Sequence, residues 1–383
     1  MNPFLTRGYV SAQYFCDREN ETETLVRKTT NGNSIVLMSP RRMGKTGLIH
    51  HCFAQKEISN NYYTFFIDIY ATTNLQEFVF KLGKDIFDKL KPRGRKFLEK
   101  FFAVISAFRP AFKIDAITGE PGFDMSMGLI EKPLYVLEDI FKYLQESDKP
   151  CIVAIDEFQQ IAKYPEKNIE AQLRTLVQKT TNAVFVFAGS QRSIMQNIFF
   201  SSSQPFYQSV FPINLDEIEK GKYAEFVQKH FRKAKKKISN EQIFSVYDLF
   251  EGHTWYLQSV FNELYSLVKD NEGCNKKALE NAVKNAIFSN EKLYKNMLLF
   301  LSQRQRELLY AIAKEGKALN ITSGDFVRKH ALLSSSSVQN SANTMLDKEI
   351  ITNENGSYQV YDKFFGLWLA TEYGVGYTIP TIK

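Results

Sequence analysis

The segment Ser39-Pro40-Arg41-Arg42-Met43-Gly44-Lys45-Thr46 carries the strongest chemical signal in this 383-residue chain. It follows a short apolar run, residues 34–38 (SIVLM), and precedes a helical pattern from Gly44 to about Ala54. A loop between a buried strand and a helix N-terminus can cradle phosphate groups. The backbone N–H groups of residues 41–46 would point at the anion, and the helix dipole adds positive potential there. In that geometry Lys45 reaches the β- and γ-phosphates and Thr46 contributes a hydroxyl to Mg²⁺. Pro40, Arg41, Arg42, Met43, Gly44, Lys45, Thr46 and Gly47 are therefore the nucleotide-binding candidates. The strict spacing G-x-x-x-x-G-K-[ST] is not met, because Ser39 stands at the first glycine. A Gly-Lys-Thr tripeptide alone is equally a plain loop-to-helix junction.

A second group decides between those readings. Cys151-Ile152-Val153-Ala154-Ile155 is an apolar strand that runs into Asp156-Glu157, about a hundred residues downstream. Asp156 at the strand tip can hold the Mg²⁺ shell, and Glu157 can polarise a water for in-line attack on phosphorus. A third group follows the next apolar run, residues 183–188 (AVFVFA), in Gly189-Ser190. A polar side chain at the carboxyl end of a parallel strand faces the ligand crevice, so Ser190 is a candidate γ-phosphate sensor. The catalytic candidates are Lys45, Asp156, Glu157 and Ser190, and the metal candidates are Thr46 and Asp156. The expected cofactors are ATP and Mg²⁺.

These groups need a scaffold of buried parallel strands, and the chain supplies one. Apolar runs at 34–38, 62–69, 151–155 and 183–188, with a weaker one at 210–215, alternate with helical patterns. Continuous apolar runs of this kind predict a parallel sheet covered on both faces. Residues 112–127 alternate apolar and polar about a Gly- and Pro-containing turn, which predicts a hairpin insertion at about 108–130. From 216 to 295 the pattern is helical throughout. Its run QKHFRKAKKKIS (228–239) holds six Lys/Arg residues, either a solvated helix end or a phosphate contact. From Leu301 onward three helices and a small hairpin follow, with Ser302 as a helix cap, and this is the winged-helix pattern.

Composition sets the outer limits. A hydrophobic fraction of 44% and a charged fraction of 24% exclude a disordered or low-complexity chain. The formal net charge of +7 permits an anionic partner without requiring one. The four cysteines, Cys16, Cys52, Cys151 and Cys274, have no CxxC spacing and read as reduced, buried thiols. The N-terminus lacks the pattern of a signal peptide. No run of about 18 apolar residues predicts a membrane span. A cytoplasmic protein with no membrane partner is expected.

With these residues in view, the chain resembles the archaeal-type ATPase family, a branch of the AAA+ and STAND NTPases. Phe15-Cys16-Asp17-Arg18-Glu19 resembles the family's opening F-x-x-R-E, and residues 40–46 its PRR-x-GKT loop. Ile155-Asp156-Glu157 matches its Walker B end and Gly189-Ser190 its sensor 1 turn. Gly252-His253-Thr254-Trp255-Tyr256-Leu257 resembles the lid motif G-x-P-x-Y-L. Residues 361–369 resemble the closing D-x-F-F-x-x-W-L. The resemblance implies an α/β P-loop NTPase three-layer sandwich on a parallel five-stranded sheet, with the sensor strand between the Walker A and Walker B strands. It implies a core over 1–215, a helical lid over 216–297 and a winged-helix domain over 298–383. It places Phe15 and Arg18 near the adenine and His253 at the lid contact to nucleotide.

Two departures from the family pattern bear on function. Thr254 replaces the lid proline. The stretch Pro205-Phe206-Tyr207-Gln208-Ser209 lacks the family's arginine, and no Lys or Arg occurs between Arg192 and Lys220. A missing arginine finger predicts slow intrinsic hydrolysis, with Arg174 and Arg192 as the remaining candidates for that role. Three functions are open: an ATP-driven switch, a DNA binder acting through Ser334–Lys348 and Lys235–Lys237, and a nucleotide-dependent scaffold for a protein partner. A homo-oligomer is also open, because AAA+ relatives often assemble.

Overall fold

The computed structural model describes residues 1–90, 112–114, 121–123 and 132–374. These fall into two compact units, Gly8–Asp216 and a second made of Met1–Arg7 with Glu217–Lys383.

The first unit is built on strands β1 (Ile35–Met38), β2 (Tyr63–Asp68), β5 (Cys151–Asp156), β6 (Ala183–Gly189) and β7 (Phe211–Asn214). They form one parallel sheet in the order β2-β5-β6-β1-β7. Strand β6, which leads into Ser190, thus lies between the strand that precedes the Lys45 loop and the strand that ends in Asp156, the order that the family resemblance implies. Every residue of β1, β5 and β6 is buried. That is why these strands read as continuous apolar runs.

Alternate residues face opposite layers. Val36, Val153, Phe185 and Phe187 pack toward one face, together with Phe78, Leu137, Leu173 and Phe199. Those four lie on helices α4 (Leu75–Lys89), α5 (Pro133–Gln145), α6 (Ile169–Lys179) and α7 (Arg192–Phe200). Leu37, Ile152, Ala154 and Val186 pack toward the other face, with Leu25 and Leu48. Leu25 is on α1 (Glu19–Thr30) and Leu48 on α2 (Lys45–Phe53); a short helix α3 (Lys56–Ser59) follows. Each buried Phe or Leu contributes about 1.5–3 kcal/mol, so the two layers fix the strand ends firmly. Of the expected hairpin insertion, β3 (Phe112–Ile114) pairs antiparallel with β4 (Pro121–Phe123). The remainder of 108–130 lies outside the described residues.

The second unit is helical, then winged. Its helices are α8 (Lys220–Lys233), α9 (Asn240–Leu249), α10 (Thr254–Leu267), α11 (Lys276–Phe288) and α12 (Glu291–Leu299). Phe4 from the chain start is fully buried among Phe226, Phe231 and Phe261. Helix α13 (Gln303–Glu315) begins with a reciprocal capping box between Ser302 and Gln305. Helices α14 (Gly324–Lys329) and α15 (Ser335–Asp347) and the sheet β8-β10-β9 complete the winged helix, followed by α16 (Lys363–Tyr373). Strand β8 (Ala318–Leu319) adds a third strand to the expected hairpin of β9 (Ile351–Glu354) and β10 (Ser357–Val360). Two residues are too short to show a period in sequence.

The basic run of 228–239 is divided by the fold. Arg232 and Lys233 end α8, where cations complement the helix dipole. Lys235 and Lys237 are exposed, but Lys236 is not. It is 7% exposed, and its ammonium donates to the Tyr265 carbonyl at 2.6 Å. The proposed triplet Lys235–Lys237 is therefore corrected to two surface cations, because the middle one is consumed inside the unit.

Candidate nucleotide-phosphate site

The carboxyl ends of β1, β5 and β6 bring the three sequence groups together. After β1 the chain turns through Arg42 (φ 69°) and Gly44 (φ 90°) into α2. Gly44 is the N-cap of α2 and supplies no side-chain hydrogen bond. The first N–H groups of the helix are thus left to whatever lies in front of the loop. Ser39 is fully buried, and its hydroxyl donates to the Pro40 carbonyl at 2.7 Å. Serine at this position is accommodated by satisfying its own polar atom locally. Met43 points into the core, so only its backbone is available to a ligand.

Lys45 is 7% exposed, and its ammonium lies 2.7 Å from Asp156 Oδ1 and 3.3 Å from Glu157 Oε1. The Thr46 hydroxyl donates to Asp156 Oδ2 at 2.9 Å, and Asp156 Oδ1 accepts from the Glu157 N–H at 2.9 Å. Thr46 and Asp156 form a pair of hard oxygen donors. That set fits Mg²⁺, which takes one or two protein oxygens and completes its octahedron with phosphate and water.

Glu157 leaves the strand in the left-handed region, at φ 57°. Its Oε2 accepts from the Ser190 hydroxyl at 2.8 Å and from the Gln159 amide at 2.5 Å. Burial alone would raise its pKa. The Lys45 charge, with the donors Ser190, Gln159 and Lys45, outweighs burial and holds the carboxyl below the ordinary range. Gln159 also donates to Ser190 Oγ at 3.3 Å. Sequence reasoning missed Gln159, since an uncharged amide two residues past Asp-Glu has no spacing signature. Only the left-handed turn at Glu157 brings it back to the site.

Arg18 is 4% exposed, and its guanidinium donates to Glu21, to the Met43 carbonyl (3.5 Å) and to the Asp216 carbonyl (2.5 Å). It ties the phosphate loop to the end of the sheet unit. Phe15 stacks on His51 at 4.3 Å and 16°, against Gly47. Burial lowers the His51 pKa, which favours the neutral form of the stacked imidazole. The two rings help to line a groove of about 670 Å³ beside α1. The two arginine-finger candidates have neighbours. The Gln178 amide, oriented to accept, takes bonds from Arg174 on the same helix at 3.0 and 3.2 Å. Arg192 pairs with Asp216 at 3.0 Å.

His253 belongs to the second unit, as the N-cap of α10. Burial, then the nearby Lys363, lowers its pKa. The other lid-motif residues there grip the winged helix. The Tyr256 hydroxyl accepts from the Lys363 N–H at 3.0 Å, and Phe364 packs edge-on against Phe250 and Tyr256. Glu251 bridges Lys317 and Lys363, both at 2.7 Å.

Three of the four thiols, those of Cys16, Cys52 and Cys151, are buried, and Cys274, expected to be buried as well, is half-buried; none of the four is in a disulfide. Burial pushes the Cys52 thiol up to about 12 and that of Cys151 to about 11, so neither is a nucleophile near neutral pH. Among the described residues, no helix is long and apolar enough to cross a membrane.

A strand–loop–helix with a buried lysine, facing paired carboxylates on the next strand but one, defines a P-loop ATPase fold. The chain belongs to the family of ATPase domains found predominantly in Archaea, whose model matches residues 15–260, and a winged-helix model matches 292–371. Solved structures share the fold at low identity. The Walker-type ATPase PABY2304 of Pyrococcus abyssi is 18% identical at a TM-score of 0.63, covering 96% of this chain and 99% of its own. The Aeropyrum pernix ORC2 protein, captured with ADPNP and ADP, is 11% identical at 0.60, covering 97% and 96%. The Aeropyrum pernix ORC1 protein in complex with DNA is 10% identical at 0.51, covering 94% and 93%. No curated protein matches the sequence.

Proposed function

We propose that this protein is a slow ATPase of the STAND type that works as a nucleotide-dependent switch, with a sheet core, a helical lid and a winged helix as its working parts. The observation that carries the proposal is the Lys45–Asp156–Glu157–Ser190 constellation around the open end of α2.

In this proposal Lys45 leaves the two carboxylates and pairs with the β- and γ-phosphates. The backbone from Pro40 to Gly47 wraps the phosphate chain. Thr46 and Asp156 hold Mg²⁺, which when bound neutralises charge on the β- and γ-oxygens. Glu157 orients a water for in-line attack on the γ-phosphorus. The bond from that phosphorus to the bridging oxygen breaks, ADP departs, and the proton of the water passes through Glu157 to phosphate. Ser190 reports the γ-phosphate. Phe15 and His51 flank the adenine, Arg18 fixes the loop, and His253 is the lid residue that meets nucleotide.

Slow turnover follows from the lack of an arginine in the stretch Pro205-Phe206-Tyr207-Gln208-Ser209, where the family carries one. An extra cation would come from another copy of the chain or a protein partner, and arginine fingers supply about 10³–10⁵ in rate. Steady turnover of many ATP per second by the purified protein alone would refute slow hydrolysis.

A second reading, DNA binding, is supported by the winged helix and by the ORC1 neighbour's complex with DNA. Helix α15 offers Ser, Gln and Asn side chains that can hydrogen-bond bases or phosphates. It holds no Lys or Arg, with Lys348 only following its end, and phosphate neutralisation dominates affinity, so Lys235 and Lys237 would supply the charge. Salt-sensitive retardation of duplex DNA tests this reading, and the absence of any complex at low salt removes it. A third reading, a scaffold for a protein partner in the cytoplasm, needs ATP binding without cleavage.

A further inference from the structure

We infer that Gln159 is the positioning residue for Glu157, holding the water-orienting carboxylate in place when Lys45 and Ser190 turn to the phosphates. The inference rests on the hydrolysis proposed above.

Gln159 is fully buried on the 3₁₀ turn Phe158–Lys163 that follows Glu157. Its amide nitrogen reaches both Glu157 Oε2 and Ser190 Oγ, at 2.5 and 3.3 Å. Its amide oxygen, also buried, makes no hydrogen bond. A buried carbonyl without a partner is costly, and a fold tolerates it where the rest of the group has a task.

The neighbouring strand is shaped to admit this amide. A Cβ on Gly189 would lie 2.7 Å from the Gln159 oxygen and 2.4 Å from Met195 Sδ. Glycine at the end of β6 is thus a requirement of Gln159 as much as of the turn into Ser190.

Three donors hold Glu157, and two of them have work elsewhere. The lysine is drawn off by phosphate and the serine by the γ-phosphoryl oxygens. Gln159 is fully buried and bonded to both Glu157 and Ser190, so in this inference it stays with Glu157 when phosphate arrives. It alone keeps Oε2 occupied, which leaves Oε1 to face the water. A carboxylate with one oxygen pinned is a better-aimed base than one free to rotate, and misplacement by about 1 Å can cost about 100-fold.

The test uses the full chain and Gln159→Leu, a change of similar volume that also removes the orphaned oxygen, so the fold is retained. Thermal melts with and without ADP establish folding and nucleotide affinity apart from turnover. Single-turnover ATP cleavage is then measured for wild type, Gln159→Leu, Glu157→Gln and the double variant. The expected result is unchanged ADP affinity and KM, a rate lower by about 10–100-fold for Gln159→Leu, and no further loss when Gln159→Leu is added to Glu157→Gln. A merely structural role would instead lower ADP affinity and add to the Glu157→Gln effect, which overturns the inference. So does a Gln159→Leu rate equal to wild type. A wild type that binds ATP and never cleaves it overturns the hydrolysis proposal, and this inference with it. Should Gln159→Leu not fold, Gln159→Met carries the same comparison.

Discussion

Lys45 shows what a single residue can do in this site. Its buried ammonium pairs with two carboxylates at once, and the same charge is what a polyphosphate would compete for. Lys45→Ala is expected to weaken ADP binding by about 100-fold or more, equivalent to about 2.7 kcal/mol. Glu157→Gln keeps the hydrogen-bonding shape and removes the base. It should bind nucleotide like the wild type and cleave ATP about 10²–10⁴-fold more slowly. Titration calorimetry and product release measure the two effects separately. If the Glu157→Gln protein keeps full biological function while Lys45→Ala loses it, the scaffold reading replaces the switch. Asp156, Glu157, Lys45 and Thr46 were legible in the sequence because charge and spacing mark them. Gln159 and the loop-tying role of Arg18 were not, because both depend on contacts made across a turn or across the chain.

Between elements, the lid helices and the winged helix are joined by Glu251. Burial alone would raise its carboxyl, but hydrogen bonds and charge from Lys317 and Lys363 prevail and pull it down to about 2. A carboxylate with a depressed folded-state pKa stabilises the fold above its unfolded value and loses that contribution as pH falls through the folded one. The joint is therefore expected to be intact above about pH 4.5 and to weaken towards pH 2. Glu251→Gln should cost on the order of 1 kcal/mol at pH 7, since the side chains of Glu251 and Lys317 are 40% and 60% exposed and solvent screens them. Melting curves against pH check it: the gap between wild type and variant should close as the acid range is entered. A gap that is constant from pH 7 to pH 3 would contradict the assignment. At the end of β6, Gly189→Ala should destabilise the sheet unit by about 1–3 kcal/mol through overpacking, which urea unfolding would register. The strands and helices themselves were readable from periodicity. The two-residue β8 was not, because it exists only as a pairing partner of β10.

For the whole molecule, the net charge of +7 is distributed among tasks that a total cannot reveal. Part of it lies in the phosphate loop, and Lys236 is spent on the Tyr265 carbonyl. Charge reversal along 235–237 should therefore separate two effects. Lys235→Glu and Lys237→Glu should leave the melting temperature unchanged and weaken any DNA complex, with a shallower salt dependence. Lys236→Glu should instead lower the melting temperature by several degrees, because it buries an unpaired charge. Equal behaviour of all three in both measurements would discard Lys235 and Lys237 as the DNA contact. The switch is a property at this scale too. ATP can shift a conformational equilibrium only by its differential affinity for the two states, so scattering profiles of the apo, ADP and ATP-analogue forms should differ. Identical profiles would remove the switch reading.

The sequence by itself determined the phosphate loop, the paired carboxylates, the parallel sheet and the winged helix. Each of these is written in local spacing: strand runs, a glycine before a lysine, caps, and turn residues. Tertiary structure alone decided which polar groups meet. It seated Gln159 against Glu157, turned Lys236 inward, tied Arg18 to two distant carbonyls and set Glu251 between two lysines. Such contacts join positions far apart in the chain, or on opposite sides of a left-handed turn. The free energy that selects them comes from burying and satisfying polar groups in the packed interior, and no residue pattern along the chain records it.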